Sequence, residues 1–207
     1  PVINGKIVLK EFYDLSKRHA NALSRFTSNV GGKCLNDLYF VSVEQGNDPR
    51  AQLSNLEASD DNSGHDDFPV GFIDVMLMYV NSRGSVEIRS TDPNVSPIAR
   101  ENMLHDELDR ARMRYGVRQL VKLLRSPAVE DIARPSVAQQ QSDGSNQENN
   151  RSGRLMIELG RGNDGFGLSR DEVEKMNDAE LDSWMLNTLS DGIHICSSCP
   201  MSHDGFV

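Results

Sequence analysis

The chain has 207 residues, enough for one domain or one and a half, and its apolar fraction of 37% is low for a compact globule. It carries 22 Lys and Arg against 31 Asp and Glu, which gives a formal net charge of -9 without a basic stripe. Such an acidic chain is a poor candidate for binding nucleic acid or an anionic membrane surface. Its apolar runs are far shorter than the roughly 20 residues that cross a bilayer, so no membrane segment is expected.

The first third of the chain is predicted to contain one helix followed by strands. Residues 7–26 have apolar side chains at helical spacing and predict a helix. Residues 39–43 predict a short strand, and the polar residues 44–69 predict a loop. Residues 71–80 predict a long apolar strand.

A turn and a second strand are predicted directly after that strand. Residues 81–84 are typical of a tight turn, and Val86 and Ile88 alternate with charged side chains. We therefore predict a hairpin of 71–80 with 84–90, and the alternation requires that one face of the sheet be covered. The predicted fold class is α+β, a mainly antiparallel sheet with helices packed on one face.

The second half is predicted to be helical around a polar insert. Residues 104–124 predict a helix whose apolar stripe changes face at Gly116, which indicates either burial on two sides or a break. Residues 134–153 form a low-complexity insert that has too few apolar side chains to order itself. Residues 154–159 predict a strand, and Ser-Arg-Asp-Glu at 169–172 has the form of a capping box that opens a helix. The buried face of the following helix is predicted to contain Leu181, Trp184, Met185, Thr188 and Leu189.

The stretch from Gly160 to Gly165 matches Gly-x-Gly-x-x-Gly, a pattern that lets a backbone approach a pyrophosphate in dinucleotide folds. That reading also needs a second parallel strand ending in an acidic residue about 20 residues later, and a helix and a loop follow here instead. Asp164 also places a carboxylate where the phosphate would lie. We therefore predict a plain glycine-rich turn.

The densest set of ligand-type side chains is His194, Cys196, Cys199 and His203. Two thiolates and two imidazoles could close a tetrahedral zinc site, but a loop this short rarely surrounds one ion. The Cys-x-x-Cys pair could act as a redox dithiol, but it follows a helix and precedes a proline. We predict that Cys196 and Cys199 bind no metal. His105, at a predicted helix start, is predicted to be a surface side chain.

Two blocks resemble the glucose–methanol–choline family of oxidoreductases. The first reads Asn-Ser-Arg-Gly-Ser-Val-Glu-Ile-Arg-Ser-Thr-Asp-Pro at 81–93 and continues to Pro97 and Ile98. The family reads Ser-Arg-Gly-x-Val, an apolar residue, x, Ser, x, Asp-Pro, then Pro-x-Ile; here Ile98 comes directly after Pro97. In the second block His194, Cys199 and Met201 match His-x-x-Gly-Thr-Cys-x-Met, with serines at 197 and 198 where Gly-Thr is usual.

The resemblance, which covers roughly residues 70–207, implies a flavin enzyme that oxidises an alcohol. By position His194 would be the base that removes the hydroxyl proton, and Ser197 and Ser198 would contact the flavin. The cofactor would be FAD, bound mainly through segments absent from this chain, so the expected partners are a small-molecule alcohol and the remainder of the flavoprotein. The compartment stays open, as do two other classes: a catalytically inactive scaffold or interaction fragment, and a small Cys/His zinc-binding module.

The domain division that follows from the resemblance has four parts. Residues 1–70 are predicted to be a helix and polar loop that lead into the substrate domain. Residues 71–133 are its hairpin and helix, 134–153 the low-complexity insert, and 154–207 a strand, helices and the loop of the catalytic histidine.

Overall fold

The computed structural model describes residues 1–8, 20–32, 34–47, 69–133, 157–160, 167–190 and 196–199. Seven strands lie within these residues: β1 (Val2–Val8), β2 (Ala20–Phe26), β3 (Leu38–Asn47), β4 (Pro69–Leu77), β5 (Ser85–Glu87), β6 (Ile98–Arg100) and β7 (Ile157–Leu159). Five of them form one sheet in the order β2-β3-β4-β1-β7, and every neighbouring pair is antiparallel. Strands β5 and β6 form a separate two-stranded antiparallel ribbon.

The described residues also contain four helices: α1 (Glu107–Leu124), α2 (Pro127–Ile132), α3 (Arg170–Lys175) and α4 (Asp178–Thr188). Helix α1 lies against strands β1, β3 and β4, and the other three helices pack against α1. The predicted α+β fold with a mainly antiparallel sheet is therefore confirmed. Among these helices none is long and apolar enough to cross a membrane.

The core lies between the sheet and α1, and Gly116 sets how closely they approach. A Cβ atom at Gly116 would lie 2.8 Å from Val75 Cγ2 and 3.3 Å from Leu38 Cδ2, so only glycine leaves room for this contact. The helix runs through Gly116 without interruption, so the predicted alternative of a break is wrong. Its buried residues follow one helical face: Asp109, Arg112, Met113, Gly116, Val117, Leu120, Val121 and Leu124.

The predicted helix over residues 7–26 is wrong wherever the chain is described. Residues 2–8 form strand β1, which pairs with β4 on one side and β7 on the other, and residues 20–26 form strand β2 at the edge of the sheet. Short apolar segments satisfy a helical and an extended pattern about equally, and pairing in the sheet decides between them. Residues 9–19 lie outside the described part of the chain.

The strand prediction for 71–80 is confirmed over most of its length by β4, but the predicted hairpin with 84–90 is wrong. Strand β4 pairs with β1 and β3, whereas β5 pairs with β6. The expected covered face is absent as well, because Val86 is 48% and Ile88 87% exposed. Strand β3 confirms the strand at 39–43 but extends to Asn47, into the predicted loop.

The C-terminal predictions fare better. Strand β7 confirms a strand at 157–159. The capping box at the start of α3 is confirmed: the Ser169 amide donates to Glu172 Oε2 at 2.8 Å and the Glu172 amide donates to Ser169 Oγ at 3.2 Å. Leu181, Met185 and Thr188 of α4 are buried, as predicted. The low-complexity insert at 134–153 lies outside the described residues.

Candidate functional site

The loop that joins β4 to β5 carries the Asn-Ser-Arg-Gly sequence and is tied to the start of helix α1. The Asp109 carboxylate accepts hydrogen bonds from the Asn81 amide at 2.9 Å, the Ser82 amide at 2.7 Å and the Ser82 hydroxyl at 2.6 Å. Asp109 is fully buried and Ser82 is 4% exposed. A carboxylate in the first turn of a helix is stabilised by the helix dipole and by the N–H groups that point at it.

Ser82 bridges a side chain and a backbone amide at the start of the helix. Its hydroxyl donates to Asp109 and accepts a hydrogen bond from the Asp106 amide at 3.1 Å. Asp106 is the N-cap of α1, and its carboxylate accepts from the amides of Leu108 at 2.8 Å and Asp109 at 3.4 Å. The loop and the helix N-terminus therefore share one hydrogen-bond network, and neither can shift without the other.

The Arg83 side chain folds back over its own loop. Its Nη1 atom lies within hydrogen-bond distance of the Val80, Asn81 and Ser82 carbonyl oxygens, at 3.0, 2.9 and 3.1 Å. The same nitrogen lies 3.3 Å from the Ser197 hydroxyl oxygen. The guanidinium therefore stabilises the turn of its own loop. It also contacts Ser197, which is 114 residues distant in sequence.

Gly84 brings the two blocks of the sequence into direct contact. Its amide donates to the Ser197 carbonyl at 3.3 Å. A Cβ atom at Gly84 would lie 2.3 Å from the Arg100 carbonyl oxygen, 2.6 Å from Ser198 Oγ and 3.0 Å from the Glu101 carbonyl oxygen. Only a residue without a side chain fits this gap, and this explains the glycine of the Ser-Arg-Gly sequence.

Ser197 adopts a backbone conformation that glycine normally occupies. Its φ angle is +67°, in the left-handed region that costs a residue with a Cβ atom roughly 1–2 kcal/mol. The resembling family has glycine at this place, and the serine here retains the turn that a glycine would make. Both Ser197 and Ser198 are half-buried, between the loop of Arg83 and Gly84 and the solvent.

The described residues do not include the predicted base, His194, or His203. Cys196 and Cys199 flank the Ser197–Ser198 turn, and both are exposed and free. The described part of the chain contains no cluster of three or more metal-ligating side chains. The absence of metal binding at these cysteines stays a prediction. His105 is exposed, as predicted for a surface side chain.

The residues that flank the glycine-rich stretch after β7 pair through their backbones. The Leu159 amide donates to the Leu168 carbonyl at 2.8 Å, and the Leu168 amide donates back to Leu159 at 3.0 Å. Leu159 and Leu168 are therefore paired through their backbones, just before α3 begins at Arg170. Gly160 has a φ angle of +66° and lies against Trp184 and Thr188. Residues 161–166 lie outside the described part of the chain.

Two residues that hold the loop were missed at the level of sequence. One is Asp109, and the other is Asn102, whose Nδ2 donates to the Arg83 carbonyl at 3.1 Å. Acidic residues in the first turn of a helix are common, so Asp109 carried no signal beyond the helix dipole. The contacts span 27 and 19 residues along the chain, and no local pattern predicts them.

A comparison with known protein families agrees with the contact between the 81–84 loop and the Ser197–Ser198 turn. The model of one protein family, described as GMC oxidoreductase, matches residues 80–206, which is more than half of the chain. The chain belongs to the GMC oxidoreductase family. No curated protein matches it significantly. The match begins at the Asn-Ser-Arg-Gly loop and extends past Cys199, so both sides of the contact described above lie in the part of the chain that matches the family model.

In this GMC oxidoreductase the ribbon of β5 and β6 adjoins the same contact. The Arg100 carbonyl of β6 faces Gly84, and the Arg100 side chain forms an ion pair with Glu87 of β5. The hydrogen bond from Arg100, aided by one from Ser85, lowers the pKa of Glu87. Both partners are about half exposed, so the pair contributes little to stability.

Proposed function

We propose that this chain is the substrate-domain part of an FAD-dependent enzyme that oxidises an alcohol, with hydride transfer from the CH–OH group. One observation carries the proposal: the Ser-Arg-Gly loop contacts the Ser197–Ser198 turn, and this turn begins three residues after His194 in the sequence. Membership of the family supports an oxidoreductase in general. The alcohol and the cofactor are part of the proposal.

The turn at Ser197 and Ser198 fits a place beside a flavin. The left-handed backbone at Ser197 gives the compact turn that a glycine would give, and its hydroxyl is directed toward Arg83. When bound, FAD supplies the two-electron acceptor, and the protein supplies position and proton transfer. Ser197 and Ser198 are the cofactor-contacting residues that we assign to this chain, and the remainder of the flavoprotein would provide the other contacts.

His194 is the proposed general base. An alcohol is a poor hydride donor until it loses its hydroxyl proton, and a histidine with a pKa near neutrality can accept that proton. Such help is typically worth about 10²–10⁴-fold in rate. The two cysteines that follow His194 have no assigned part in this step.

The test is the rate of flavin reduction by alcohols under anaerobic conditions in the full-length protein. His194→Ala should retain flavin and lower that rate by about 10²-fold or more. His105→Ala is the matched control, because His105 is an exposed histidine of the same domain, and the rate should not change. Equal reduction rates in the wild type and His194→Ala, normalised to flavin content, would remove His194 from the mechanism. A full-length protein without a flavin absorbance spectrum would contradict the proposal and favour an inactive scaffold.

A further inference from the structure

Two carboxylates in the described part of the chain are completely buried, Asp37 and Asp109. Burying a charge is costly unless donors surround it, so each carboxylate needs a compensating set of hydrogen bonds. The two sets differ in what they hold. Asp37 accepts from the Ser28 amide and hydroxyl and forms an ion pair with Arg112 at 3.4 Å. That set joins β3, the segment after β2, and α1.

Among the described residues, the Asp109 carboxylate accepts hydrogen bonds only from the Ser-Arg-Gly loop. Its two oxygens accept from the Asn81 amide and from the amide and hydroxyl of Ser82. No ion pair to Asp109 occurs among the described residues. Three donors of the loop thus bind one buried carboxylate, and this holds the loop backbone in one position. Asp109 therefore orders this loop, while Asp37 orders a different part of the core.

The loop that Asp109 holds continues directly into the site. Arg83 and Gly84 follow Ser82 by one and two residues, and both contact Ser197. Gly84 lies so close to the Arg100 carbonyl and to the Ser198 side chain that no Cβ atom would fit between them. The path from the Asp109 carboxylate to the Ser197–Ser198 turn is therefore a short series of close contacts through backbone.

We propose that Asp109 is a positioning residue of the site, which fixes the Ser-Arg-Gly loop and, through Arg83 and Gly84, the turn at Ser197 and Ser198. The role in turnover rests on the proposed flavin chemistry. The role in placing the turn does not, because it depends only on contacts within this chain. Asp109 touches neither substrate nor cofactor in this assignment, and it acts through the turn.

The test compares Asp109→Asn with Asp37→Asn in the full-length protein. The asparagine retains the shape of the aspartate but replaces one accepting oxygen with an NH₂ group, which faces N–H donors. Both variants disturb a fully buried carboxylate that accepts from a serine amide and hydroxyl, so both should lower the melting temperature. Only Asp109→Asn should slow flavin reduction at saturating alcohol, by about tenfold or more at matched flavin content.

Hydrogen exchange provides a second readout that does not depend on activity. Asp109→Asn should accelerate exchange in the peptides that contain residues 81–84 and 196–199, and Asp37→Asn should accelerate it near its own partners Ser28 and Arg112 but not at 196–199. If Asp109→Asn does not fold, Ser82→Ala takes its place, because it removes only the hydroxyl and should give a smaller change in the same direction.

The outcomes separate this inference from the proposed function. If no alcohol reduces the flavin of the wild type, the proposed function fails, and exchange at 196–199 alone decides the role of Asp109. If exchange at 196–199 is the same in the Asp109→Asn and Asp37→Asn variants, or if both slow flavin reduction equally, Asp109 has only a structural role and the inference is overturned.

Discussion

Gly84→Ala tests the contact between the two blocks most directly. The added methyl group would lie 2.3 Å from the Arg100 carbonyl oxygen and 2.6 Å from Ser198 Oγ, and Cβ atoms essentially never approach within 3.0 Å. The loop and β6 must therefore separate by about 0.7 Å. The Ser198 hydroxyl can rotate away, but the Arg100 carbonyl belongs to the β6 backbone and cannot.

The magnitude follows from two effects of that separation. Overpacking of this kind costs roughly 1–3 kcal/mol of stability. A misplacement of about 1 Å near reacting groups can lower a rate by about 10²-fold. We expect Gly84→Ala to slow flavin reduction by alcohol between about 10-fold and 100-fold, at a stability loss of about 2 kcal/mol.

Gly116→Ala is the matched control, because its added methyl group would meet core side chains and not the Ser197–Ser198 turn. Its methyl group would lie 2.8 Å from Val75 Cγ2 in the core. The better helix propensity of alanine, worth about 1 kcal/mol, offsets part of the clash. This variant should lose stability but retain its reduction rate per bound flavin. If Gly84→Ala reduces flavin as fast as Gly116→Ala, the contact at Ser198 has no part in placing the site.

Three further predictions concern the neighbouring segments. Ser197→Gly should raise the free energy of unfolding by about 1 kcal/mol, seen as a higher melting temperature, because glycine adopts a positive φ without strain; a lower melting temperature would contradict this. Ser169→Ala should lower it by about 1 kcal/mol in urea unfolding at neutral pH. Hydrogen bonds from the Ser169 hydroxyl and amide lower the pKa of Glu172 in the folded state. Their contribution to stability is therefore present above the carboxyl pKa of the unfolded chain and is lost as the pH falls through the lower pKa of the folded chain. If Ser169→Ala lowered the free energy of unfolding equally at pH 7 and at acid pH, this pH dependence would be refuted. Purified protein should contain no stoichiometric zinc, and zinc that is lost in Cys199→Ala would instead establish a zinc module.

The regular elements that the sequence predicts well are those with local signals. The box at Ser169 and Glu172 is complete within four residues, and α1 repeats buried apolar residues at helical spacing from Met113 to Leu124. The misplaced helix at 7–26 shows the opposite case. Leu23 belongs to its predicted apolar stripe, yet it is 57% exposed on the edge strand β2. Sheet order decides which apolar residues are covered, and no single segment contains that information.

The hairpin prediction failed for a reason that also explains the site. A tight turn at 81–84 would have let β5 continue beside β4. Instead the amides of Asn81 and Ser82 are taken by Asp109, and the chain turns away into a separate ribbon. The contacts of Asn81 and Ser82 with Asp109 therefore prevent the hairpin and also bring Gly84 to Ser197. Both blocks are recognisable from the sequence, but the helix side chain that joins them, Asp109, is not.

The serines at 197 and 198 are the departure from the family pattern that most favours an inactive scaffold, and the geometry weakens that reading. Glycine is needed at a turn either for its backbone freedom or for the space that a missing side chain leaves. Ser197 already holds the left-handed φ angle, so the first requirement is met with some strain. Its hydroxyl is directed toward Arg83, at 3.3 Å, so the side chain does not occupy the side of the turn opposite Arg83. The requirement for space is therefore met for a ligand that approaches from that opposite side. The serine therefore keeps the backbone turn that the family's glycine would make, next to the enclosed Gly84, and this geometry is compatible with the proposed enzyme.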